Sequence, residues 1–290
     1  MGSKKSKLVN HETTRQIPPQ PEQKQPAPDL LSKIGIETIN TMIAIDFSKA
    51  NQYQGLDTFG GRSLHFVSKN KAAEIRRVSV LLDSRFKSLS PREDLSTVVE
   101  SPASGVVDQD VNPYQSTIQE LNQLLTKYNT NGWIPVCLFS PFTVKEISKS
   151  VRGSYGFSEV NFSYEQALLK EPLGQKRFFS PVINWAVSKI IDRREFHMLV
   201  ILTCGLPDDA IDTHRALFDA LPRRLLVVVI ALGDGTDKKY DYWGQFKYEF
   251  PDRYHSNLTV VYARDLASIS GEVAKAVYEY LLPDQLSKKI

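Results

Sequence analysis

The chain has 290 residues, of which 41% are hydrophobic, 10% aromatic and 24% charged. This composition is typical of a soluble globular protein, and the length allows one large domain with appendages or two small domains, of which the remainder of the sequence favours the first. A net charge of +3, from 36 basic and 33 acidic residues, is too small to indicate a nucleic-acid partner. No apolar run approaches the roughly 18 residues that span a bilayer. Cys137 and Cys204 both lie in apolar runs, which predicts a reducing compartment without disulfides.

The first residues, MGSKKS, fit the N-myristoylation pattern, with Gly2 as the acylated residue and Ser6 at the required position. Lys4, Lys5 and Lys7 form a short basic cluster beside it. One myristoyl chain binds membranes only marginally, so a basic cluster is the kind of second signal that stable anchoring requires. We expect a cytoplasmic protein held peripherally on the inner leaflet, most simply of the plasma membrane; the alternative is an ordinary solvated basic N-terminus.

Proline and glutamine dominate the segment that follows, so residues 1–33 are predicted to be a disordered tail. A short helix is predicted within Leu30–Ile39, leading into a domain over residues 34–284. A polar insertion is expected at about residues 88–110, and a short basic tail at 285–290.

The first strand of the domain, within the stretch TMIAIDFSKAN at Thr41–Asn51, is an apolar run that ends on Asp46. In open α/β sheets, ligands bind beyond the carboxyl ends of the strands, which places this carboxylate at a candidate site. The alternative is that Asp46 simply closes the strand in a turn.

Apolar runs and helical patterns alternate along the rest of the chain. A loop and then a short edge strand or extended segment are predicted for GLDTFGGRSLHFV, which contains SLHF at Ser63–Phe66. The stretch from Phe139 to about Asn161 is predicted to be rich in loops. Strands are predicted at Trp133–Phe139, His197–Cys204, Leu225–Leu232 and Leu258–Ala263, and helices at Ala72–Phe86, Pro113–Tyr128, Ser180–Ile191, Asp208–Ala220 and Ser270–Leu282. This alternation predicts an α/β fold, doubly wound, with a mostly parallel sheet and helices on both faces.

The motifs DFSKAN, SLHF, NPY and GDG, in this order, together resemble the von Willebrand factor A-type domain of the copine family. The likeness covers about Ile34–Leu282 and extends to copine-like ubiquitin ligases that combine a myristoylated N-terminus, this domain and a RING. Neither C2 nor RING domains are expected in this chain. The resemblance implies a Rossmann-like fold with a metal-ion-dependent adhesion site at the top of the sheet.

In intact relatives this resemblance implies oxygen ligands for Mg²⁺ from three loops, an arrangement that suits a hard cation. Mapped onto this chain, Asp46 and Ser48 are retained, but the second serine position is Ala50, the threonine position is Arg177 and the last aspartate position is Cys204. Three of the five positions have lost their oxygen, and one has become a cation that stays protonated.

We therefore expect no metal cofactor, with Mg or Ca at this site as the alternative. Arg177 is predicted to pair directly with Asp46 in place of the ion. Alternatively, Arg177 points to solvent in a loop whose register is shifted by one. Asp208, Asp209 and Asp234 are the other acids that could supply replacement oxygens.

No convincing catalytic constellation is present, so we do not expect an enzyme. The preferred interpretation is a non-catalytic, membrane-tethered interaction module that binds an unknown protein through the top face of the A-type domain without an ion. A second interpretation is an adaptor or inactive paralogue in ubiquitination, with an indirect role in ubiquitin transfer. A third is calcium-dependent phospholipid binding, as in copines.

Overall fold

The computed structural model describes residues 30–33, 35–88, 111–129, 131–140, 143–148, 150–234, 242–251, 254–263 and 269–287, with only the backbone described at 30, 33, 81–88 and 283–287. A six-stranded sheet with the strand order β4-β3-β1-β6-β7-β8 forms the centre of this part of the chain. All neighbouring strands are parallel except β4, which is antiparallel to β3 at one edge. The strands are β1 Asn40–Asp46, β2 Trp133–Ile134, β3 Val136–Ser140, β4 Thr143–Glu146, β5 Ser154–Tyr155, β6 His197–Thr203, β7 Leu225–Ala231 and β8 Leu258–Tyr262.

Helices cover both faces of the sheet, and each face has its own apolar core. One core contains buried side chains of α3, α4 and α8, and the other those of α5, α6 and α7. Every residue of β6 and β7 is buried, which explains why these strands are continuous apolar runs in the sequence. The helices are α1 Leu30–Lys33, α2 Lys69–Ser88, α3 Pro113–Leu125, α4 Gly156–Lys170, α5 Ser180–Lys189, α6 Ala210–Ala220, α7 Tyr242–Tyr248 and α8 Ile269–Ser287, with 3-10 turns at Lys49–Gln52 and Leu221–Arg223. The predicted doubly wound α/β fold is confirmed.

Three local predictions were wrong. The stretch up to Asn161, predicted to be loop-rich, contains β4, β5 and the start of α4. Helix α4 was missed because it buries polar side chains, including Ser163 and Glu165, which break the apolar periodicity. The predicted strand Trp133–Phe139 is divided at Pro135, whose nitrogen cannot donate a ladder hydrogen bond. The segment around SLHF forms turns instead of an extended segment.

The described core includes a residue that lies before the predicted domain boundary at residue 34. The side chain of Leu31, assigned to the tail, is fully buried in the core. The predicted helix within Leu30–Ile39 is the four-residue α1, and the last helix extends to Ser287, three residues past the predicted end at 284. The tail before residue 30, the insertion from residue 89 to 110 and residues 288–290 lie outside the described residues. Within the described part, no helix combines the length and the apolar character needed to cross a bilayer.

Candidate functional site

Asp46 is the last residue of β1, and its carboxylate is completely buried at the top of the sheet, which we define as the edge where the parallel strands end. Oδ1 accepts a hydrogen bond from the backbone N–H of Ser48 at 2.8 Å. Oδ2 accepts one from the hydroxyl of Thr203 at 2.9 Å and one from the backbone N–H of Cys204 at 3.3 Å. The parallel pairing of β1 with β6 brings these donors together, because both strands end at the same edge.

Arg177 lies in the segment between α4 and α5, and its guanidinium reaches into the same site. Its Nη1 donates to the sulfur of Cys204 at 3.3 Å, and its Nε donates to the carbonyl of Leu206 at 3.0 Å. The thiol of Cys204 in turn donates to Asp46 Oδ2 at 3.5 Å. The three side chains therefore form a chain of contacts in which sulfur joins the cation to the carboxylate.

The predicted direct pairing of Arg177 with Asp46 is wrong. Both residues are described, and no hydrogen bond or ion pair joins them; the contact runs through Cys204. The physical reason is that Leu206 and Cys204 already hold the guanidinium at hydrogen-bond distance, and the thiol lies on Oδ2. The alternative that Arg177 points to solvent does not hold either, since its guanidinium donates to Leu206 and Cys204 within the site.

Protonation states follow from this geometry. Burial, reinforced by the negative charge of Asp46, raises the pKa of Cys204 to about 12, so the thiol stays protonated at neutral pH. Burial works to lower the pKa of Arg177, but the neighbouring Cys204 and Asp46 outweigh it and raise that pKa above its ordinary value. The site thus holds one buried carboxylate, one neutral thiol that donates to it, and one permanent cation behind the sulfur.

The remaining two predicted site residues, Ser48 and Ala50, lie in the turn after β1. Ser48 is 1% exposed, and its hydroxyl has no hydrogen-bond partner among the described residues. Ala50 contributes no oxygen and packs against the core. The amide of Asn51 fixes this turn by donating to the carbonyl of Asp46 at 3.1 Å and to that of Ser48 at 3.0 Å.

A buried histidine below the turn was not recognised from the sequence as part of the site. His65 Nε2 donates to the backbone carbonyl of Asp46 at 2.8 Å, and the hydroxyl of Tyr164 donates to Nδ1 at 2.7 Å. The ring stacks on Tyr114, whose hydroxyl donates to Asn51. Burial lowers the pKa of His65 to about 4, so the ring is neutral and fixed in one tautomer. The motifs SLHF and NPY, which contain His65 and Tyr114, were the features of the sequence that could have indicated this part of the site.

The three acids considered as replacement ligands are engaged elsewhere. Asp208 accepts from the backbone N–H of Arg177 at 2.7 Å, and Asp209 accepts from the backbone N–H groups of Phe179 and Ser180, where α5 begins. Asp234, after β7, accepts from the backbone and hydroxyl of Thr58 at 2.8 and 2.7 Å. Each carboxylate therefore ties together loops at the top of the sheet, and none is directed at Asp46 by a described contact.

A sequence profile of the family described as "Copine" matches residues 105–289, which is more than half of the chain. This chain belongs to the copine family. Its match to "Copine family protein 1" of Caenorhabditis elegans is 26% identical over 268 residues, covering 89% of this chain and 20% of that protein. "E3 ubiquitin-protein ligase RGLG5" of Arabidopsis thaliana is 24% identical over 270 residues, covering 87% of this chain and 52% of that protein. The chain therefore spans between a fifth and about half of the length of these relatives.

Solved structures were matched with low overall similarity. The von Willebrand factor type A structure from Catenulispora acidiphila has a TM-score of 0.44 and 12% identity, covering 84% of this chain and 43% of that one. Manganese-loaded TRAP protein of Plasmodium vivax has a TM-score of 0.46 and 10% identity, covering 84% of this chain and 74% of that one.

The donor set of this copine domain does not fit a hard divalent cation. Asp46 and Ser48 are the only protein oxygens retained from the positions implied by the resemblance, and a guanidinium and a thiol stand at two of the others. Within the described residues, no group of three or more His, Cys, Asp or Glu side chains could hold a metal ion. The Asp46 carboxylate and the unpartnered Ser48 hydroxyl are the two oxygens at these five positions that suit a hard cation, and they would supply two of the roughly six oxygens that such an ion binds.

Proposed function

We propose that this copine domain is a non-catalytic protein-interaction module that binds its partner through the top of the sheet without a divalent ion. The observation that carries the proposal is the contact chain from Arg177 through the Cys204 thiol to Asp46. A buried carboxylate needs compensating donors or charge. Here neutral donors satisfy its oxygens and a permanent cation lies behind the sulfur, so the charge needs no ion.

The surface around this site has the composition of a protein-binding patch. Tyr53 and Leu56, in the loop after β1, are 66% and 62% exposed. Lys49 and Lys176 are also exposed, and the backbone N–H of Lys49 donates to the carbonyl of Gly174 at 2.7 Å, which joins this turn to the segment that leads to Arg177. Exposed aromatic and apolar side chains with basic neighbours favour a protein surface that carries acidic residues.

Titration with Mn²⁺ tests the independence from metal. Isothermal calorimetry on the wild-type chain should give no binding heat at the site, and Mn²⁺ should not raise the melting temperature. The variant Ala50→Ser/Arg177→Thr/Cys204→Asp restores oxygens at the three altered positions and should bind Mn²⁺, provided that circular dichroism shows it folded. Saturable binding by the wild-type chain that is lost in Asp46→Ala would overturn the proposal.

Partner binding needs a separate experiment. The wild-type domain and a Tyr53→Ala/Leu56→Ala variant are immobilised, and captured proteins are quantified with EDTA or with Mg²⁺. We expect a set of proteins that is lost with the variant and unaffected by EDTA. Loss on chelation would contradict the metal-independent mode, whereas no dependence on Tyr53 and Leu56 would contradict the choice of surface.

The proposed location is the inner leaflet of a membrane, reached through an acylated Gly2 and the cluster Lys4, Lys5 and Lys7. This part of the proposal rests on the sequence pattern, since these residues lie outside the described part. A second candidate role, as an adaptor in ubiquitination, is favoured by the relatives described as E3 ubiquitin-protein ligases. Ubiquitin transfer by proteins that co-purify with the chain, measured with added E1 and E2, would support that role.

A further inference from the structure

Helix α2 is 20 residues long, and over its described side chains it is attached to the domain by one side only. Ile75 is 2% exposed, and the hydroxyl of Ser79 accepts a hydrogen bond from Gln166 of α4 at 2.6 Å. Lys71 approaches Glu165 of α4 at 3.8 Å. These contacts fix which side of the helix faces the protein, and therefore which side faces away.

The opposite side of α2 is basic. At about 100° per residue, Lys69, Ala73, Arg76, Arg77 and Val80 fall on the arc that faces away from Ile75, and all five are exposed. We call this set the α2 outer face. None of its three cations forms an ion pair or hydrogen bond with a described residue.

No acidic side chain neutralises the α2 outer face within residues 69–80. Glu74, the one acid in that stretch, lies as far around the helix from Ile75 as Arg76 does but on the opposite flank, and it pairs with Lys71 at 3.4 Å. Three unpaired cations concentrated on one helix contrast with a whole-chain charge of only +3. The face is therefore a local electrostatic feature that does not arise from a generally basic protein.

Apolar groups lie among these cations. Val80 is 67% exposed, and Ala73 lies on the same arc between the cations. A helix that presents Lys and Arg together with exposed hydrocarbon is suited to the boundary between lipid headgroups and acyl chains. Nucleic acid or an acidic peptide could pair with the cations, but neither would bury the exposed side chain of Val80 in an apolar environment.

We propose that the α2 outer face docks on an anionic lipid bilayer, as a second membrane contact in addition to the N-terminus. Each cation near an anionic surface strengthens binding about fivefold, whereas one acyl chain alone binds marginally. The 29 residues before α1 reach at most about 100 Å when extended, so both contacts can form on one membrane. The inference deepens the proposed membrane location but does not depend on acylation.

Vesicle sedimentation of the full chain carrying Gly2→Ala tests this surface without the acyl group. Vesicles of phosphatidylcholine with about 30% phosphatidylserine should bind the protein, vesicles of phosphatidylcholine alone should not, and binding should weaken as salt rises. Lys69→Gln/Arg76→Gln/Arg77→Gln, which keeps good helix formers, should lower the partition coefficient by about a hundredfold. Val80→Gln should lower it by a smaller factor.

The matched control replaces three exposed cations elsewhere, Arg152, Lys170 and Arg193, by Gln. It should retain most of the binding. The proposal is overturned if the protein does not bind anionic vesicles, or if the triple control variant loses as much binding as the triple variant of α2. It is also overturned if an acidic peptide abolishes vesicle binding while Val80→Gln has no effect. None of these outcomes bears on acylation or on Mn²⁺ binding, which are measured separately.

Discussion

Cys204 places two hydrogen-bond donors on one oxygen of Asp46, its backbone N–H at 3.3 Å and its thiol at 3.5 Å. The resemblance to the A-type domain puts a carboxylate at position 204, and two carboxylates this close would repel each other unless a cation lay between them. A neutral thiol removes that repulsion and supplies a donor. Arg177 then completes the arrangement by donating to the same sulfur.

Replacing Arg177 with Met should lower the free energy of unfolding by about 1–3 kcal/mol, because the buried carboxylate and the Leu206 carbonyl both lose a stabilising neighbour. Urea denaturation measures the change. Lys176→Met is the matched control, since the neighbouring lysine is exposed, and it should stay within about 0.5 kcal/mol of wild type. Equal effects of the two variants would contradict the role of the guanidinium.

Asp234→Ala should release the loop after β1. Burial alone would raise the pKa of Asp234, but hydrogen bonds from Thr58 outweigh it and lower that pKa, so the carboxylate is charged and holds the loop. We expect a loss of about 1 kcal/mol and faster tryptic cleavage after Arg62, at the end of this loop. Asp57→Ala removes an exposed acid from the same loop and serves as the control. Unchanged cleavage in Asp234→Ala would contradict this account.

Acid should destabilise the domain through His65. Its pKa falls from 6.5 to about 4 on folding, so between these values the unfolded chain binds more protons and stability decreases as pH falls. The contribution of this one residue between pH 7 and pH 4.5 is about 2–3 kcal/mol. Urea denaturation across this range should show a shallower pH dependence for His65→Gln. The remaining slope belongs to groups such as His214, whose pKa burial also lowers to about 4.

Gly2→Ala should shift the protein from the membrane fraction to the soluble fraction, because only an N-terminal glycine accepts the myristoyl group. Fractionation of cells that express each form measures the shift, and metabolic labelling with an alkyne-tagged myristate should mark only the wild-type chain. Ser3→Ala, which keeps the glycine, is the control. Labelling of the Gly2→Ala chain, or unchanged partition, would contradict the anchor.

The local hydrophobic pattern of the sequence was sufficient to predict much of the fold. The runs at β1, β6 and β7 were recognised because these strands are buried on both faces and therefore apolar throughout. Helix α4 was missed because Tyr164 and Glu165 are buried through tertiary hydrogen bonds to His65 and Gln115. Burial achieved by long-range polar partners leaves no periodic signal in the sequence.

The sequence by itself determined that Asp46 ends a buried strand, and that Ala50, Arg177 and Cys204 stand at three positions where the resemblance implies oxygen ligands. It could not determine how Arg177, Cys204 and Asp46 contact one another, and the direct pairing it suggested was wrong. Only the tertiary structure decided this, because the three residues meet where β1 and β6 lie side by side and the segment between α4 and α5 brings Arg177 to Cys204. Which atom then bridges two charges depends on distances of a few ångströms, and local sequence periodicity does not specify those distances.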